Sequence, residues 1–285
     1  MRFDPMVKPW DLYRMPITLF HHPGSLCSQK VRLALAEKGV PFESRVVDIG
    51  PRAENYERWY AELNPRMVVP TLVHDGRVVT DSARIVRYID EQFAGPVLRA
   101  ETDEARSIED AWIALADSLP LRELSYGTLR GPFGWILRHS DRVRLRKLER
   151  GRDANPDLAP LYQARIDDVR QWFEVSRNPR KVSELVDSVN ATLAKLDAHI
   201  GQRAFIAGAH YGLADILWTV VIARLYALGL RSTVDAHRNV ARYFARIEQR
   251  PSLARAGVWK SVPWGVILRS LFRLDANATR ASVAS

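Results

Sequence analysis

The stretch His21-His22-Pro23-Gly24-Ser25-Leu26-Cys27-Ser28-Gln29-Lys30-Val31-Arg32-Leu33-Ala34-Leu35 limits the possible folds more than any other part of this chain. Ile17 to Phe20 is a β-run, and Pro23-Gly24 breaks it. Cys27, Val31, Ala34 and Leu35 then recur at i, i+4, i+7 and i+8, with Gly39 as the stop. Strand, turn and helix in that order make a βα unit. A helix start presents unpaired backbone N–H groups and about half a positive charge, so small hydroxyl and thiol residues there can hold an anion, a thiolate included. Taken alone, the stretch leaves two readings open. Either Ser25 or Ser28 caps the helix while Cys27 packs beneath it, or the turn is a reactive site.

A second stretch has the same grammar. Asn64-Pro65-Arg66-Met67-Val68-Val69-Pro70 leads into the run Thr71-Leu72-Val73, Asp75-Gly76 is a hairpin signal, and Val78-Val79-Thr80 ends in Asp81-Ser82 at the start of another helical pattern reaching Phe93. A proline just before a strand is also where a cis bond can be a deliberate feature. With Phe42 to Ile49 as second strand, the predicted order is βαβαββα.

That order resembles the glutathione transferase superfamily, given Ser-x-Cys-Ser opening the first helix, Val69-Pro70 before the third strand and Asp81-Ser82 before the third helix. Within it the chain is most similar to the class named after tetrachlorohydroquinone dehalogenase, through Ser25-Leu26-Cys27-Ser28, Val68-Val69-Pro70-Thr71-Leu72-Val73 and Phe205-Ile206-Ala207-Gly208. The zeta class has a similar opening. The resemblance covers residues 16–260 and implies an α/β thioredoxin-like N-terminal domain followed by an all-α helical bundle. It also implies glutathione as co-substrate. The Ser25 hydroxyl would hydrogen-bond the glutathione sulfur, Val69 before Pro70 would offer its backbone to the cysteinyl amide, and Asp81 with Ser82 would hold the γ-glutamyl end.

A serine is too weak a base to take the thiol proton, so its role would be to stabilise the thiolate. A charge-assisted hydrogen bond plus the helix dipole would depress a thiol pKa by roughly one to three units. Two positions depart from the family pattern: Asp81 is shorter than the usual Glu or Gln, and Val68 replaces a common polar residue. Cys27 has two readings by resemblance, a thiol–disulfide exchange that releases a glutathionyl conjugate or a buried structural thiol. The expected second substrate is a hydrophobic, aromatic electrophile between the domains, against a wall of Trp112, Tyr126, Phe133 and Trp135. Conjugation, reductive dehalogenation, ether cleavage and isomerisation are variants of one thiolate attack. The alternative class is a non-catalytic glutathione or ligand carrier.

Composition bounds the rest. The chain has 285 residues, 47% hydrophobic and 26% charged, enough for two modest domains. The net charge of +9 is interleaved with acidic residues, which argues against nucleic-acid binding. A single cysteine excludes a disulfide framework and fits a reducing, cytoplasmic setting. The seven histidines form no metal-ligand spacing except the adjacent His21-His22, so no metal is expected.

The expected divisions are an extension over 1–15, the glutathione-binding domain over 16–94, the helical domain over 97–258 and a tail over 259–285. In the helical domain, Glu101 to Ser118 is predicted helical with Ile108, Trp112, Leu115 and Leu119 on one side. The basic stretch between Gly131 and Arg152, from Trp135-Ile136-Leu137-Arg138 through Arg142 to Arg150, could bind an acidic partner, but reads better as a solvated helix face. Leu185, Val189, Leu193 and Leu196 form a buried stripe, and Gly212 takes the cap position answered by Asp215. Leu213 to Leu228 is apolar all round and marks a helix buried inside a bundle. Arg238 to Arg250 is the next helix, ended by Pro251-Ser252. The resemblance further implies a homodimer. In the tail, Trp264, Ile267, Leu268 and Leu271 line one side at helical spacing, for contact with an anionic membrane or for packing back on the fold.

Overall fold

The computed structural model describes residues 17–261 apart from 51, 130–133, 136–139 and 202. The extension, Phe133 and the tail residues from Trp264 onward lie outside the described residues. The N-terminal elements are β1 (Ile17–His21), α1 (Leu26–Lys38), β2 (Glu43–Val46), α2 (Arg58–Leu63), β3 (Thr71–His74), β4 (Arg77–Thr80) and α3 (Ser82–Gln92). The sheet order is β2-β1-β3-β4, with β1 parallel to β2 and antiparallel to β3, and β3 antiparallel to β4. This is the expected α/β fold. Strand β2 is shorter than the predicted Phe42 to Ile49: among the described residues its one partner is β1, whose last paired residue is His21, so the register ends at His21↔Val46 with one further bond from Val47 N–H to the His21 carbonyl at 2.8 Å. Asp75 and Gly76 both have positive φ, 47° and 79°, as a two-residue primed hairpin turn needs.

Helix α1 ends as predicted, with Gly39 in the left-handed region at φ 68°. Its polar residues do not form a solvent face: Gln29, Lys30 and Arg32 are buried along with Val31, Ala34 and Leu35. They dock the helical domain. Lys30 Nζ lies 2.5 Å from Asp117, Arg32 Nε donates to the Ala256 carbonyl at 2.7 Å, and Gln29 donates to the Gly257 carbonyl at 3.2 Å. At the far end Arg250 pairs with Glu37 at 2.7 Å, and the Ser252 hydroxyl donates to the same carboxylate.

The helical half comprises α4 (Asp103–Ser118), α5 (Leu121–Gly127), α6 (Asp141–Ala154), α7 (Ala159–Arg177), α8 (Pro179–Ile200), α9 (Leu213–Ala227), α10 (Arg231–Asp235), α11 (Arg238–Ile247) and α12 (Pro251–Ala256). Helix α9 is buried on almost every side, as its sequence predicts. Its start keeps the predicted answer from Asp215 to the Gly212 N–H and adds to it. The Asp215 carboxylate accepts from Gly212 N–H (2.9 Å), Ile206 N–H (3.0 Å) and the Tyr243 hydroxyl (2.6 Å), while Glu109 on α4 accepts from Leu213 N–H at 3.2 Å. Glu109 thereby meets from another helix, together with the Leu98 carbonyl at 3.1 Å, the first N–H of α9, which is not the N–H that a Ser or Thr cap hydroxyl reaches. This turns α4 so that Glu109, Ile113 and Ala116 are its buried line, with Trp112, Leu115 and Leu119 flanking it and Ile108 half-exposed. Pro251 does not simply end the preceding helix. It is the first residue of α12, where its missing N–H costs nothing.

Among the described residues no helix is long and apolar enough to cross a membrane. The first tail residues pack back on the fold, with the Trp259 indole beside Gly24 and Lys260 ion-paired with Glu248.

Candidate active site

Strand register brings the candidate residues to one edge of the sheet. β1 runs toward this edge and ends at His21, β3 starts from it at Thr71 opposite Phe20, and β4 returns to it at Thr80 opposite Thr71. The residues just beyond those strand ends are Ser25 and Cys27, Val69 and Pro70, and Asp81 and Ser82. Two helix starts, of α1 and α3, thus flank the loop that carries the Val69–Pro70 peptide, which is cis.

Ser25 is the N-cap of α1, its Oγ accepting from Ser28 N–H at 3.2 Å. The capping and reactive readings of the sequence are compatible, because a hydroxyl that accepts one N–H still has its own proton to donate. Ser28 is occupied elsewhere, accepting from His22 N–H at 3.3 Å. Among the described residues the Val69 backbone N–H and C=O make no hydrogen bond, whereas the Val68 carbonyl accepts from Tyr60 and Asn64. Asp81 is a non-glycine residue at φ 75°, a strained conformation, and caps α3 by accepting from Ala83 and Arg84 N–H at 3.1 and 3.2 Å. Its second oxygen lies 3.7 Å from Arg66. Ser82 sits at the first position of α3, where backbone N–H groups are unpaired by construction.

The surroundings of the α1 start are cationic. Arg224 on α9 donates to the Gly24 carbonyl at 2.8 Å and lies close enough to interact electrostatically with Cys27, which is half-buried. Burial lowers the Arg224 and Arg32 guanidiniums to about 10, which leaves both charged at neutral pH. His22 is lowered to about 4 and His21 to about 3, chiefly by burial and then by Arg32, so both imidazoles are neutral. A neutral His22 accepts from Gly24 N–H at 3.1 Å and holds the turn.

The proposed aromatic wall divides. Tyr126 lies within electrostatic range of Arg224 beside the reactive turn, its hydroxyl 3.3 Å from Arg144 and its ring centroid 4.4 Å from that of Trp172. Trp112 does not, since it is packed against Trp218 and His199 and its carbonyl accepts from the Trp218 indole. Trp135 is 60% exposed. Sequence reasoning missed Arg224 and Arg144. The first had a signal, a lone charge closing the apolar run Ile216 to Ala223, and buried charges are rare enough to mark. The second was hidden in a charge run: Arg142 and Arg150 are exposed as the solvated-face reading expects, but Arg144 is turned inward.

Residues 24–92 match the glutathione S-transferase N-terminal domain family, and residues 146–246 the glutathione S-transferase C-terminal domain family. The chain is 33% identical over 251 residues to the tetrachloro-p-hydroquinone reductive dehalogenase of Sphingobium chlorophenolicum, covering 86% of this chain and 98% of that one. It is 25% identical over 244 residues to glutathione S-transferase TCHQD of Arabidopsis thaliana, covering 82% and 86%. Its fold is similar to the crystal structure of the β-etherase LigF from Sphingobium sp. strain SYK-6, with a TM-score of 0.67 and 24% identity over 85% of this chain and 98% of that one. With the strand-end arrangement above, these likenesses show that the chain belongs to the glutathione S-transferase superfamily, as an enzyme of its tetrachlorohydroquinone dehalogenase-like class.

Proposed function

We propose that this enzyme binds glutathione along the β1/β3/β4 edge and uses the Ser25 hydroxyl to hold its thiol as a thiolate for attack on a hydrophobic aromatic electrophile. The observation that carries this reading is the convergence at one edge of a donor hydroxyl on a helix start, an unpaired backbone N–H and C=O at Val69, and a second helix start at Asp81-Ser82. The cysteinyl backbone would pair with Val69, Pro70 shapes the loop that presents it, and the γ-glutamyl end would sit on Ser82 N–H with its ammonium at Asp81. The strained φ of Asp81 supports a functional position, since a cost of about 1–3 kcal/mol persists only where something requires it.

The thiolate sulfur attacks the ring carbon that bears the leaving group; the carbon–sulfur bond forms and the halide or aryloxide leaves with its electron pair. Ser25 donates to the sulfur, the α1 dipole favours its charge, and Arg224 and Arg32 add positive potential. Cys27, in the first turn of α1 and near Arg224, would carry out the exchange. Its thiolate would attack the sulfur of a glutathionyl conjugate, releasing the arene with a proton and leaving a mixed disulfide that a second glutathione reduces. The 33% identity to a named reductive dehalogenase favours this step over a purely structural thiol. We further propose a homodimer, for which light scattering gives twice the 32.4 kDa chain mass.

Calorimetric titration with glutathione, together with turnover of chlorodinitrobenzene, tests the reading. Saturable binding with a thiol pKa one or more units below that of free glutathione supports it. No binding overturns it, and binding without any thiol shift assigns the chain to the carrier class.

A further inference from the structure

The turn between β1 and α1, which leads into Ser25 and Cys27, is held on its carbonyl side by two guanidiniums from outside it. Arg32, two turns into α1, donates to the His22 carbonyl at 3.4 Å and to the Pro23 carbonyl at 3.2 Å, and Arg224 on α9 donates to the Gly24 carbonyl at 2.8 Å. The N–H side is held as well, Gly24 N–H by the His22 ring at 3.1 Å and Ser25 N–H by the His22 carbonyl at 3.0 Å. Every polar group of the three peptide units from His22 to Ser25 is therefore bonded within the protein, where an exposed turn would use water.

Arg32 also reaches the other way. Its Nε donates to the Ala256 carbonyl at 2.7 Å and a terminal nitrogen lies 3.5 Å from the Gly257 carbonyl, at the C-terminal, negative end of α12. Its remaining bond is to His21 Nδ1 at 3.1 Å. A guanidinium only donates, so that nitrogen accepts and the ring proton sits on Nε2, 2.7 Å from the Ser44 hydroxyl. Among the described residues Arg32 thus meets four carbonyls and an imidazole and no carboxylate. For docking two domains, well-packed apolar groups of similar volume do as well as a buried charge or better. What a guanidinium adds is a rigid fork that bonds two backbone segments at once. Trp259 covers the same turn: a Cβ at Gly24 would stand 3.6 Å from its indole, and the Arg224 guanidinium lies over that ring, 5.8 Å from its centroid.

We propose that Arg32 is the positioning residue of the reactive turn: it ties the His22 and Pro23 carbonyls to the end of α12, and with Trp259 closed over Gly24 this end of the helical domain sets where the Ser25 hydroxyl stands. The role rests on the glutathione reading above. In that reading Arg32 touches neither glutathione nor electrophile and acts through the turn alone. A misplacement of about 1 Å in a reacting pair costs about a hundredfold in rate, so even a partial slip of the turn shows in the thiolate.

Arg32→Lys keeps the charge and loses the fork, which makes it the deciding variant. In the full chain, the pKa of the bound glutathione thiol, read by thiolate absorbance against pH, is expected to rise by about half to one unit. Neutral-pH kcat for chlorodinitrobenzene falls about three- to tenfold, with glutathione affinity kept within about twofold. Trp259→Ala moves both readings the same way by less, and Trp259→Phe restores them. An unchanged thiol pKa and kcat in Arg32→Lys overturn the proposal whatever happens to the Tm, because Arg32 is then a docking residue alone. A thiol pKa that moves in Arg32→Met but not in Arg32→Lys also overturns it and leaves Arg32 a role through charge. Should Arg32→Lys not fold, Trp259→Ala against Trp259→Phe decides on the same readings. Cys27, the single cysteine of the chain and two residues from Ser25, separates these outcomes from a failure of the glutathione reading. If the wild type binds no glutathione, that reading falls, and the pH midpoint of Cys27 alkylation by iodoacetamide tests the turn by itself. A midpoint moved by about half a unit or more in Arg32→Lys supports the positioning role, and an unmoved one overturns it.

Discussion

Gly212→Ser is a sharp test of how the helical domain is built, because the capping pattern and local geometry give opposite signs. Ser is a better N-cap than Gly by a few tenths of a kcal/mol, so pattern alone expects a small gain. The backbone at Gly212, φ −115° and ψ −169°, is open to any residue and raises no objection. Space does. A Cβ there meets the Leu98 carbonyl oxygen at 2.9 Å and Glu109 Oε1 at 3.0 Å, the same two oxygens that accept from Leu213 N–H. Overpacking of this kind costs about 1–3 kcal/mol, so the net expectation is a loss of roughly 1–2.5 kcal/mol. Urea unfolding followed by far-ultraviolet circular dichroism measures it as a lower midpoint with an unchanged slope. In a Glu109→Ala background the side-chain contact is gone and, of the two close contacts, the Leu98 carbonyl alone remains, so the two substitutions should couple favourably by about 1 kcal/mol. A stabilised single variant, or strictly additive effects, refutes the idea that Glu109 and the Leu98 carbonyl occupy the space a side chain at the cap would need.

The site and its supports give three more expectations. Ser25→Ala removes both the thiolate donor and the α1 cap. The bound glutathione thiol should rise by about one to two pKa units and neutral-pH turnover should fall about 10–100-fold, while Ser25→Asp recovers the melting temperature but not the thiol shift; a thiol pKa that Ser25→Ala leaves in place would remove Ser25 from the chemistry. His21, lowered to about 3 from 6.5, is neutral when folded but binds a proton when unfolded, so its stability contribution is full above pH 6.5 and is lost as pH falls toward 3, about 3 kcal/mol by about pH 4. Asp215, raised by burial to about 6, has the opposite slope, its contribution being lost as pH rises from about 4 through 6, so the His21→Gln variant compared with wild type isolates the histidine: its unfolding midpoint should depend less on acid. Finally, Asp117→Ala should cost about 1–3 kcal/mol by leaving Lys30 buried without its partner, whereas Lys30→Met should be near neutral, and equal losses in chemical denaturation would contradict this asymmetry.

The sequence was legible wherever local punctuation decides the backbone. Pro23-Gly24 and Gly39 bracket α1, Asp75-Gly76 turns the hairpin, and the all-apolar run from Leu213 can only be a buried helix. From these the register follows, and with it the edge on which the candidate residues meet. What stayed hidden depends on partners distant in the chain. Gln29, Lys30 and Arg32 look like a solvent face, yet Asp117, Ala256 and Gly257 cover them. Arg144 is identical in type to Arg142 and Arg146, and differs only in pointing toward Tyr56 and Tyr126. Trp112 has the composition of a pocket residue, but its place is fixed by Trp218 on a distant helix.

Helix α1 has its chemistry at one end and its anchorage along its length, which makes it a lever. Its 13 residues span about 20 Å. Lys30 is gripped by Asp117 near the middle and Glu37 by Arg250 and Ser252 at the far end. A tilt of about 3° about the far anchor moves the Ser25 end by about 1 Å, and an error of that size in a reacting pair can cost about a hundredfold in rate. Substitutions at Arg250 or Asp117, neither of which is among the strand-end residues of the site, therefore belong with the active-site substitutions when variants of this enzyme are sorted by effect.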